Sequence, residues 1–167
     1  RQGTFVDTVY AEEIGQPLEL ALAQAATESA WGRSRFVRQG NNIFGQWCFK
    51  EGCGIVPKRR PEGETYEVAI FPTPAASVRS YIKNLNSHPA YRQFRILRYE
   101  KRLDDERPDG HTLAMGLQKY ASIGIEYVER LRTVMRQNKN LIRIPEVQTA
   151  ALPESKRAQN AISAHVD

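Results

Sequence analysis

The chain is poor in the residues from which small disulfide scaffolds and metal centres are built. Its 167 residues include two cysteines and three histidines, and the histidines are scattered along the sequence. Two cysteines are too few for a multi-disulfide scaffold or for a zinc ribbon with four cysteine ligands. No apolar run approaches the roughly 20 residues that a membrane-spanning helix needs. We therefore expect neither a metal site nor a transmembrane segment in this chain.

What the chain does contain is the composition of one globular domain. Hydrophobic residues make up 41% and charged residues 26% of the sequence, with a net charge of +5. That surplus suits an anionic polymer as partner, either a nucleic acid or an acidic glycan. The charge is uneven, because residues 1–32 hold one basic and five acidic side chains, and residues 33–60 hold seven basic and one acidic. Solvated helix faces of different sign would produce the same pattern.

Hydrophobic spacing predicts a mainly helical body interrupted by one small β lobe, an α+β architecture. In the lobe, two β-like runs, Ile55-Val56 and Thr65–Phe71, flank a turn at Pro61–Gly63 and predict a hairpin. Helices are predicted over Phe5–Ile14, from Pro17 to just before Gly32, over Ser34–Gln39, from Pro74 onward, and over Tyr91–Leu97, Thr112–Tyr120 and Ile125–Arg136. The helix from Pro74 onward is predicted to have one apolar side, formed by Ala75, Val78, Tyr81, Ile82 and Leu85.

The helix that opens at Pro17 carries the first candidate for a functional residue, Glu28. An apolar stripe of Leu18, Leu22, Ala25 and Ser29 is predicted on one face, with Gly32 at the C′ position. Glu28 lies beside this stripe, close to the helix C-terminus. Partial burial and the helix dipole both predict a raised pKa, and a carboxyl group that stays protonated near neutral pH can donate a proton to a leaving oxygen. The ordinary alternative is a glutamate that hydrogen-bonds a neighbouring helix.

Residues suited to a sugar ligand surround Glu28. Gln24, one turn earlier, can hydrogen-bond a ligand or Glu28 itself, and Trp31 offers a flat surface for a sugar face, although tryptophan is more often a core residue. Asn41–Trp47 combines amides, aromatic rings and a glycine, which indicates either a polar groove with aromatic walls or a loop with Asx turns. The candidate ligand-binding residues in this segment are Asn42, Phe44 and Gln46.

Two motifs together resemble those of a known enzyme family. Gln24–Gly32 (QAATESAWG), followed by Asn42–Gly45 (NIFG), resembles the signature of the glucosaminidases of glycoside hydrolase family 73. These are bacterial peptidoglycan hydrolases with a lysozyme-like α+β fold. Residues 44–54 and the turn at 61–63 are similar to the Bax-type members of that family. The resemblance extends over about Phe5–Asn138.

The resemblance implies a general acid at Glu28, in agreement with the expectation from its position. It also implies that Tyr120, which follows Leu117-Gln118 on a late helix, lines the cleft, and that Tyr127 is a second tyrosine of the site. Taken alone, the two tyrosines lie seven residues apart on an apolar helical stripe, where core packing is the ordinary role.

One departure from the family pattern concerns the β lobe. Many members carry a second glutamate in a strand before the hairpin turn, as base or nucleophile, whereas Ile55–Arg60 contains no acid here. Glu64, just after the turn, is our candidate substitute. If no second carboxylate reaches the cleft, the substrate N-acetyl group, or a water held by Tyr120 and amides, would act with Glu28 alone.

Two further features of this region each allow more than one interpretation. Cys48 and Cys53 would form a disulfide at the base of the β lobe in an oxidising compartment and remain two thiols in the cytosol. Basic clusters such as Lys58–Arg60 are compatible with nucleic-acid binding, but no stacking motif accompanies them. Positive flanks of a cleft would also attract the acidic polymers of a cell wall.

These observations predict a lysozyme-like domain that hydrolyses the β-1,4 bond after N-acetylglucosamine in peptidoglycan, with Glu28 as general acid and no metal or organic cofactor. We expect a catalytic domain over 1–144, a C-terminal tail or linker over 145–167, and a monomer that acts in the periplasm or otherwise outside the cytoplasm. Because the chain begins at Arg1, we interpret it as a processed or trimmed product. The alternatives are a lytic transglycosylase that uses Glu28 alone and a non-catalytic peptidoglycan-binding module.

Overall fold

A computed structural model of the chain describes residues 16–141, which form a helical body and a small antiparallel sheet. The α+β class is therefore confirmed, whereas the helix predicted over Phe5–Ile14 and the tail predicted over 145–167 lie outside the described residues. None of the helices in residues 16–141 has the length and apolar character that a membrane span requires. The elements in chain order are α1 (Leu18–Ser29), α2 (Arg35–Gly40), β1 (Trp47–Cys48), β2 (Gly54–Ile55), β3 (Glu67–Ala69), α3 (Pro74–Ser87), α4 (Arg92–Leu103), α5 (Gly110–Leu113) and α6 (Ile125–Gln137), with 3-10 turns at Pro89–Tyr91 and Ala114–Leu117.

Helix α1 begins after Pro17 as predicted, but it buries a different face. The buried residues of the helix are Leu20, Ala23, Gln24 and Ser29, so Ser29 is the one member of the predicted stripe that is buried, and Leu22 is 44% exposed. The prediction was wrong for the rest of the stripe because it left out Gln24, an amide whose polar atoms are paired within the protein. The end of the helix also differs. The chain turns left-handed at Ala30, two residues before the predicted C′ glycine Gly32.

Side-chain caps explain why the next two helices begin where the sequence predicts. The Ser34 hydroxyl accepts a hydrogen bond from the Val37 N–H at 3.2 Å and starts α2. The Thr73 hydroxyl accepts one from the Ala76 N–H at 3.1 Å, one residue before the proline that opens α3. Such caps satisfy backbone donors that have no partner within the helix. Helix α6 is confirmed to within one residue.

The prediction of one continuous helix over Thr112–Tyr120 was wrong. The structure has one α-helical turn, α5, followed by a 3-10 turn, and Tyr120 lies beyond both. Close packing against α4 accounts for this break, because a Cβ atom at Gly116 would lie 2.3 Å from the Cα of Phe94. Helix α4 in turn continues to Leu103, six residues past the predicted Leu97.

A continuous apolar core joins α1, α3, α4, the 110–117 segment and α6. Phe94 sits at its centre with no solvent exposure. Three tyrosines share this core with the aliphatic side chains, and each needs a partner for its hydroxyl group. The largest fully buried apolar side chains are Tyr81, Tyr127, Phe94, Leu20, Leu85, Leu113, Leu117 and Leu131.

The β lobe is a three-stranded antiparallel sheet in the order β1-β3-β2. The predicted hairpin is confirmed as β2 paired with β3, where Ile55 lies opposite Val68. The sequence prediction missed β1, which is only two residues long and pairs on the other side of β3. The disulfide between Cys48 and Cys53 is also confirmed.

The carboxylate of Glu67 organises the disulfide loop. It is 5% exposed and accepts hydrogen bonds from the backbone N–H groups of Gly52 at 3.0 Å and Gly54 at 2.7 Å. These two backbone donors lower the pKa of Glu67. The carboxylate therefore fastens the loop between β1 and β2 to the central strand.

The first prediction concerns the disulfide. Cleaving a cross-link of this loop length releases chain entropy worth about 2 kcal/mol. Reducing agent should therefore lower the thermal midpoint of the protein by about 4–8 °C. Circular dichroism melts with and without reductant measure this, and the Cys48→Ser/Cys53→Ser double variant is the control, because its midpoint should not respond to reductant. An equal response in both proteins would contradict the prediction.

The second prediction concerns pH. Because folding lowers the pKa of Glu67, its contribution to stability is complete above the ordinary value of 4.5 and is lost as pH falls through the lowered pKa of the folded state. Glu67→Gln should therefore make the thermal midpoint less sensitive to acid below pH 4.5. The control is Glu62→Gln, at an exposed carboxyl of the same lobe. Melts of both variants over an acid series test this, and identical acid sensitivity would count against it.

Candidate active site

Glu28 lies on the last turn of α1 at the junction of the helical body and the loop before β1. Its Oε1 atom accepts a hydrogen bond of 2.7 Å from the hydroxyl of Tyr127, in the first turn of α6. Its Oε2 atom lies 3.4 Å from the position that a Cβ atom would occupy at Gly45. One carboxyl oxygen is thus held by the helical body and the other faces the Asn42–Gly45 loop.

Burial raises the pKa of Glu28, which confirms the direction expected from the sequence. Loss of solvation is the largest cause, while the Tyr127 hydrogen bond and the positive charge of Arg130 act in the opposite direction. The carboxyl group therefore keeps its proton to a higher pH than an exposed glutamate does. A carboxyl group that keeps its proton in this way has the property that a general acid requires.

Two tyrosines stack beside Glu28. The rings of Tyr120 and Tyr127 are parallel within 2°, with their centroids 5.6 Å apart, although Tyr120 follows a 3-10 turn and does not share a helix with Tyr127. The Tyr120 hydroxyl donates to the Phe44 carbonyl at 2.9 Å and so connects this pair to the loop. Burial raises the pKa of both phenols, which keeps them protonated as hydrogen-bond donors.

Gln24 belongs to the same cluster of hydrogen-bonded side chains as Glu28 and Tyr127, but it lies deeper in the core than they do. Its side chain is fully buried, its Nε2 group donates to the Tyr127 hydroxyl at 3.0 Å, and its Oε1 accepts from the hydroxyl of Tyr81. Gln16 donates to Tyr81 from the far side. The amide atoms of Gln24 are both engaged within the protein, so the structure does not support the predicted contact of Gln24 with a ligand.

The Asn42–Gln46 segment is held by its own amide side chains. Asn42 is 1% exposed and donates to the carbonyls of Gln46 and Ala69, both at 2.8 Å. The Gln46 amide donates to the Ser77 carbonyl at 3.0 Å and so ties the segment to α3. The predicted roles of Asn42 and Gln46 as direct ligand contacts are therefore not supported by their geometry, which instead shapes the loop that faces Glu28.

The two aromatic candidates differ in exposure. Phe44 is buried and stacks on Tyr81 with their centroids 3.8 Å apart, so its ring belongs to the core. Trp31 is 59% exposed and lines a groove of about 380 Å³ beside Leu22 and Val134. Its ring is available to a ligand, but Trp31 makes no hydrogen bond or ring contact with the Glu28 cluster in the part of the chain described.

Glu64 lies exposed between the turn and β3. Within residues 16–141 no hydrogen bond or charge interaction joins it to Glu28, and its role as the second catalytic group stays a prediction. The nearby Glu67 is engaged by two backbone N–H groups, as described above. Cys48, Cys53 and Glu67 form a cluster of potential metal ligands, but the disulfide removes both thiols, which leaves no metal centre there.

Sequence analysis missed two members of the cluster, Tyr81 and Gln16. Tyr81 was predicted only as one of several residues on the buried side of α3, and its hydroxyl group was not assigned a partner. A tyrosine on an otherwise apolar stripe is itself a signal, because a buried phenol needs a hydrogen-bond partner. Gln16, which precedes α1 and is 3% exposed, offers no comparable signal in the sequence.

The third prediction concerns Gly45. Its φ is +62°, a conformation that costs an alanine about 1–2 kcal/mol, and the added methyl group would lie in van der Waals contact with Oε2 of Glu28, 3.4 Å away, and cover part of that oxygen. Gly45→Ala should therefore lower both stability and glycan-cleaving activity. Gly63→Ala is the matched control, since Gly63 also has a positive φ but no atom within 4 Å of an added Cβ. Parallel melts and activity assays would refute the contact if the two variants lost activity equally.

Comparisons with known proteins show the family and the fold of this chain. The glucosaminidase family model, described as mannosyl-glycoprotein endo-beta-N-acetylglucosaminidase, matches residues 8–140. Protein bax of Escherichia coli (strain K12) is 33% identical over 126 residues, which is 75% of this chain and 44% of that protein. The chain thus spans less than half the length of this relative.

Two solved structures share the fold. The catalytic domain of the autolysin Auto from Listeria monocytogenes superposes with a TM-score of 0.58 at 21% identity, over 80% of this chain and 78% of that one. The glycoside hydrolase domain of FlgJ from Salmonella typhimurium gives 0.55 at 22% identity, over 80% and 91% respectively. The family match covers most of the sequence, and the chain therefore belongs to the glucosaminidase family of glycoside hydrolases.

Proposed function

We propose that this domain hydrolyses the β-1,4 glycosidic bond after N-acetylglucosamine in peptidoglycan, with Glu28 as the general acid. The observation that carries the proposal is the half-buried Glu28 carboxyl, which is anchored through one oxygen to Tyr127 and faces the loop at Gly45 through the other. Membership of the glucosaminidase family supports the reaction type. The relatives described as an autolysin and as a glycoside hydrolase domain support a cell-wall glycan as the substrate.

In the proposed reaction, the proton of Glu28 moves to the glycosidic oxygen as the bond from that oxygen to the anomeric carbon breaks. The positive charge that develops on the sugar ring is then quenched by a water oxygen, which bonds to the anomeric carbon. One proton of that water returns to the Glu28 carboxylate and restores the acid. Tyr127, as a protonated phenol, stabilises the ionised form of Glu28 through its hydrogen bond, and Tyr120 shapes the site by stacking on Tyr127 and holding the Phe44 carbonyl.

The second catalytic group is proposed to be the substrate itself. Glu64 is exposed, Glu67 is engaged by the disulfide loop, and Ile55–Arg60 contains no acid where many family members carry the second glutamate. The N-acetyl group of the bound sugar, or a water that it orients, would then assist at the anomeric carbon, as happens in known exceptions to the two-carboxylate rule.

Binding of the glycan is assigned to exposed groups. We propose that Trp31 offers its ring to a sugar face and that the backbone of the Asn42–Gly45 loop lines the cleft. Gln24, Phe44 and Gln46 would act from behind by holding this surface in place. The net charge of +5 would favour approach to the acidic polymers of a cell wall.

The place of action is proposed from the disulfide and from the substrate. Disulfides persist in oxidising compartments, and peptidoglycan lies outside the cytoplasm, so we propose action of a bacterial protein in the periplasm or elsewhere beyond the inner membrane. We further propose a monomer whose catalytic domain spans residues 1–144 and is followed by a tail or linker over residues 145–167.

The fourth prediction tests the role of Glu28. Glu28→Gln should reduce release of muropeptides from purified peptidoglycan by at least about 100-fold, since the general acid is lost. Its thermal midpoint should change little, because the glutamine oxygen still accepts from Tyr127. Glu64→Gln is the matched control and should retain activity.

Four outcomes of these experiments would revise the proposal. Full activity of Glu28→Gln would refute the assignment of the acid, and loss of activity in Glu64→Gln would make Glu64 the second catalytic group. Mass spectrometry of the wild-type products decides the reaction, because hydrolysis adds one water and a lytic transglycosylase leaves an anhydro end. Binding to peptidoglycan without any turnover would identify a non-catalytic module.

A further inference from the structure

Behind the Glu28–Tyr127 pair runs a chain of buried hydrogen bonds that the proposed reaction does not by itself require. Gln16 donates to Tyr81, Tyr81 donates to Gln24, Gln24 donates to Tyr127, and Tyr127 donates to Glu28. The four residues behind Glu28 are each at most 3% exposed, so water does not compete for these bonds.

The direction of this chain follows from elementary donor and acceptor chemistry. An ionised carboxylate can only accept, so Tyr127 must donate its single hydroxyl hydrogen to Glu28. Gln24 must then present its NH₂ group to Tyr127 and its carbonyl oxygen to Tyr81. The hydroxyl hydrogen of Tyr81 is thereby used, and the amide of Gln16 supplies the donor for the Tyr81 oxygen. Every bond in the chain points toward Glu28.

This direction determines where Glu28 can hold its proton. The hydroxyl oxygen of a protonated carboxyl group is a weaker acceptor than its carbonyl oxygen, so the hydrogen bond from Tyr127 favours an unprotonated Oε1. A proton on Oε1 that pointed toward Tyr127 would leave the hydroxyl hydrogen of Tyr127 in need of another acceptor, and the carbonyl oxygen of Gln24 already accepts from Tyr81. That arrangement would require the hydrogen bonds behind Glu28 to reverse. Protonation of Oε2 leaves the chain intact, and Oε2 is the oxygen that faces Gly45.

We propose that Gln24, with Tyr81 and Gln16 behind it, is a positioning residue that holds Tyr127 as a donor to Oε1 of Glu28 and so keeps the catalytic proton on Oε2. This inference rests on the proposed role of Glu28 as the acid. It adds to that role a specific reason for a buried glutamine one turn before the glutamate. An amide is suited to this place because it accepts at one atom and donates at the other.

The decisive variant is Tyr81→Phe, which removes a hydroxyl group that does not touch Glu28. Without that hydroxyl, the carbonyl oxygen of Gln24 becomes free to accept from Tyr127, and Glu28 loses its donor for part of the time. The pKa of Glu28 should therefore rise, as it should in Tyr127→Phe. In a protein that already carries Tyr127→Phe, the Tyr81→Phe change should leave the pKa of Glu28 where it was.

Titration of the Glu28 side-chain carboxyl by ¹³C NMR measures this pKa directly, with the signal assigned by its absence in Glu28→Gln. Other groups interact electrostatically with Glu28. The variant that carries both Tyr127→Phe and Tyr81→Phe separates their effects from the effect of the hydrogen-bond chain. These groups are Arg130, Tyr81, Tyr91, Tyr120 and Tyr127. Tyr91→Phe is the matched control, since it also removes a buried hydroxyl but one outside the chain, and the pKa of Glu28 should not move.

The pH dependence of kcat provides a second test of the proposal with the same variants. A higher pKa keeps the acid protonated to a higher pH, so the basic limb of the pH profile of kcat should shift upward in Tyr81→Phe. At pH values below that limb, kcat should fall by about tenfold with KM unchanged, because part of the proton population moves to the wrong oxygen.

The proposal is overturned if Tyr81→Phe leaves the pKa of Glu28 unchanged, or if it produces the same shift with and without the Tyr127 hydroxyl. Should Tyr81→Phe fail to fold, Gln24→Met replaces it, and a lower thermal midpoint with intact kcat would overturn the proposal. Full activity of Glu28→Gln would instead refute the proposed function, while the NMR titration would still decide whether the chain acts on Glu28.

Discussion

Burial of the Glu28 carboxyl is the constraint on which the rest of the site depends. A buried polar group without a partner costs about 1–3 kcal/mol, more than an average hydrogen bond contributes, so the fold must supply a donor. Tyr127 supplies it from another helix, which sets the register of α1 against α6. The phenol is itself buried, so its oxygen needs Gln24, and the same requirement extends to Tyr81 and Gln16. The Glu28 carboxyl, our proposed acid, thus accounts for four polar residues in the core.

The loop opposite Glu28 is built by a similar rule. It carries little regular structure, and the Asn42 side chain pairs with both backbone groups of Gln46. The Asn42 and Gln46 amides also bond the carbonyls of Ala69 and Ser77, which attaches the loop to β3 and α3. Tyr120 completes the attachment by donating to the Phe44 carbonyl. Amide residues near a candidate site are easily taken for ligand contacts, but here their polar atoms are engaged within the protein and hold the loop in place.

Local patterns predicted much of the fold because they act over a few residues. The starts of α2 and α3 follow from Ser34 and Thr73, whose caps need only the next turn of chain. The start of α6 and the β2–β3 hairpin follow from spacing and turn residues in the same way. Local patterns could not predict the interruption of the helix in residues 110–120. It depends on the close approach of Gly116 to Phe94 in α4, which is a contact between residues far apart in the sequence.

For the site, the sequence by itself singled out Glu28, the proposed acid, since Glu28 stands near a helix end and within a family motif. It also determined that cysteines close in the sequence are available to cross-link the β lobe. Only the tertiary structure decided which face of α1 is buried, because the partners of Gln24 come from α3 and α6. The same is true of the exposed position of Glu64 and of the stacking of Tyr120 on Tyr127. Each of these depends on which distant side chain is present to complete a hydrogen bond or a ring contact, and no local pattern encodes that.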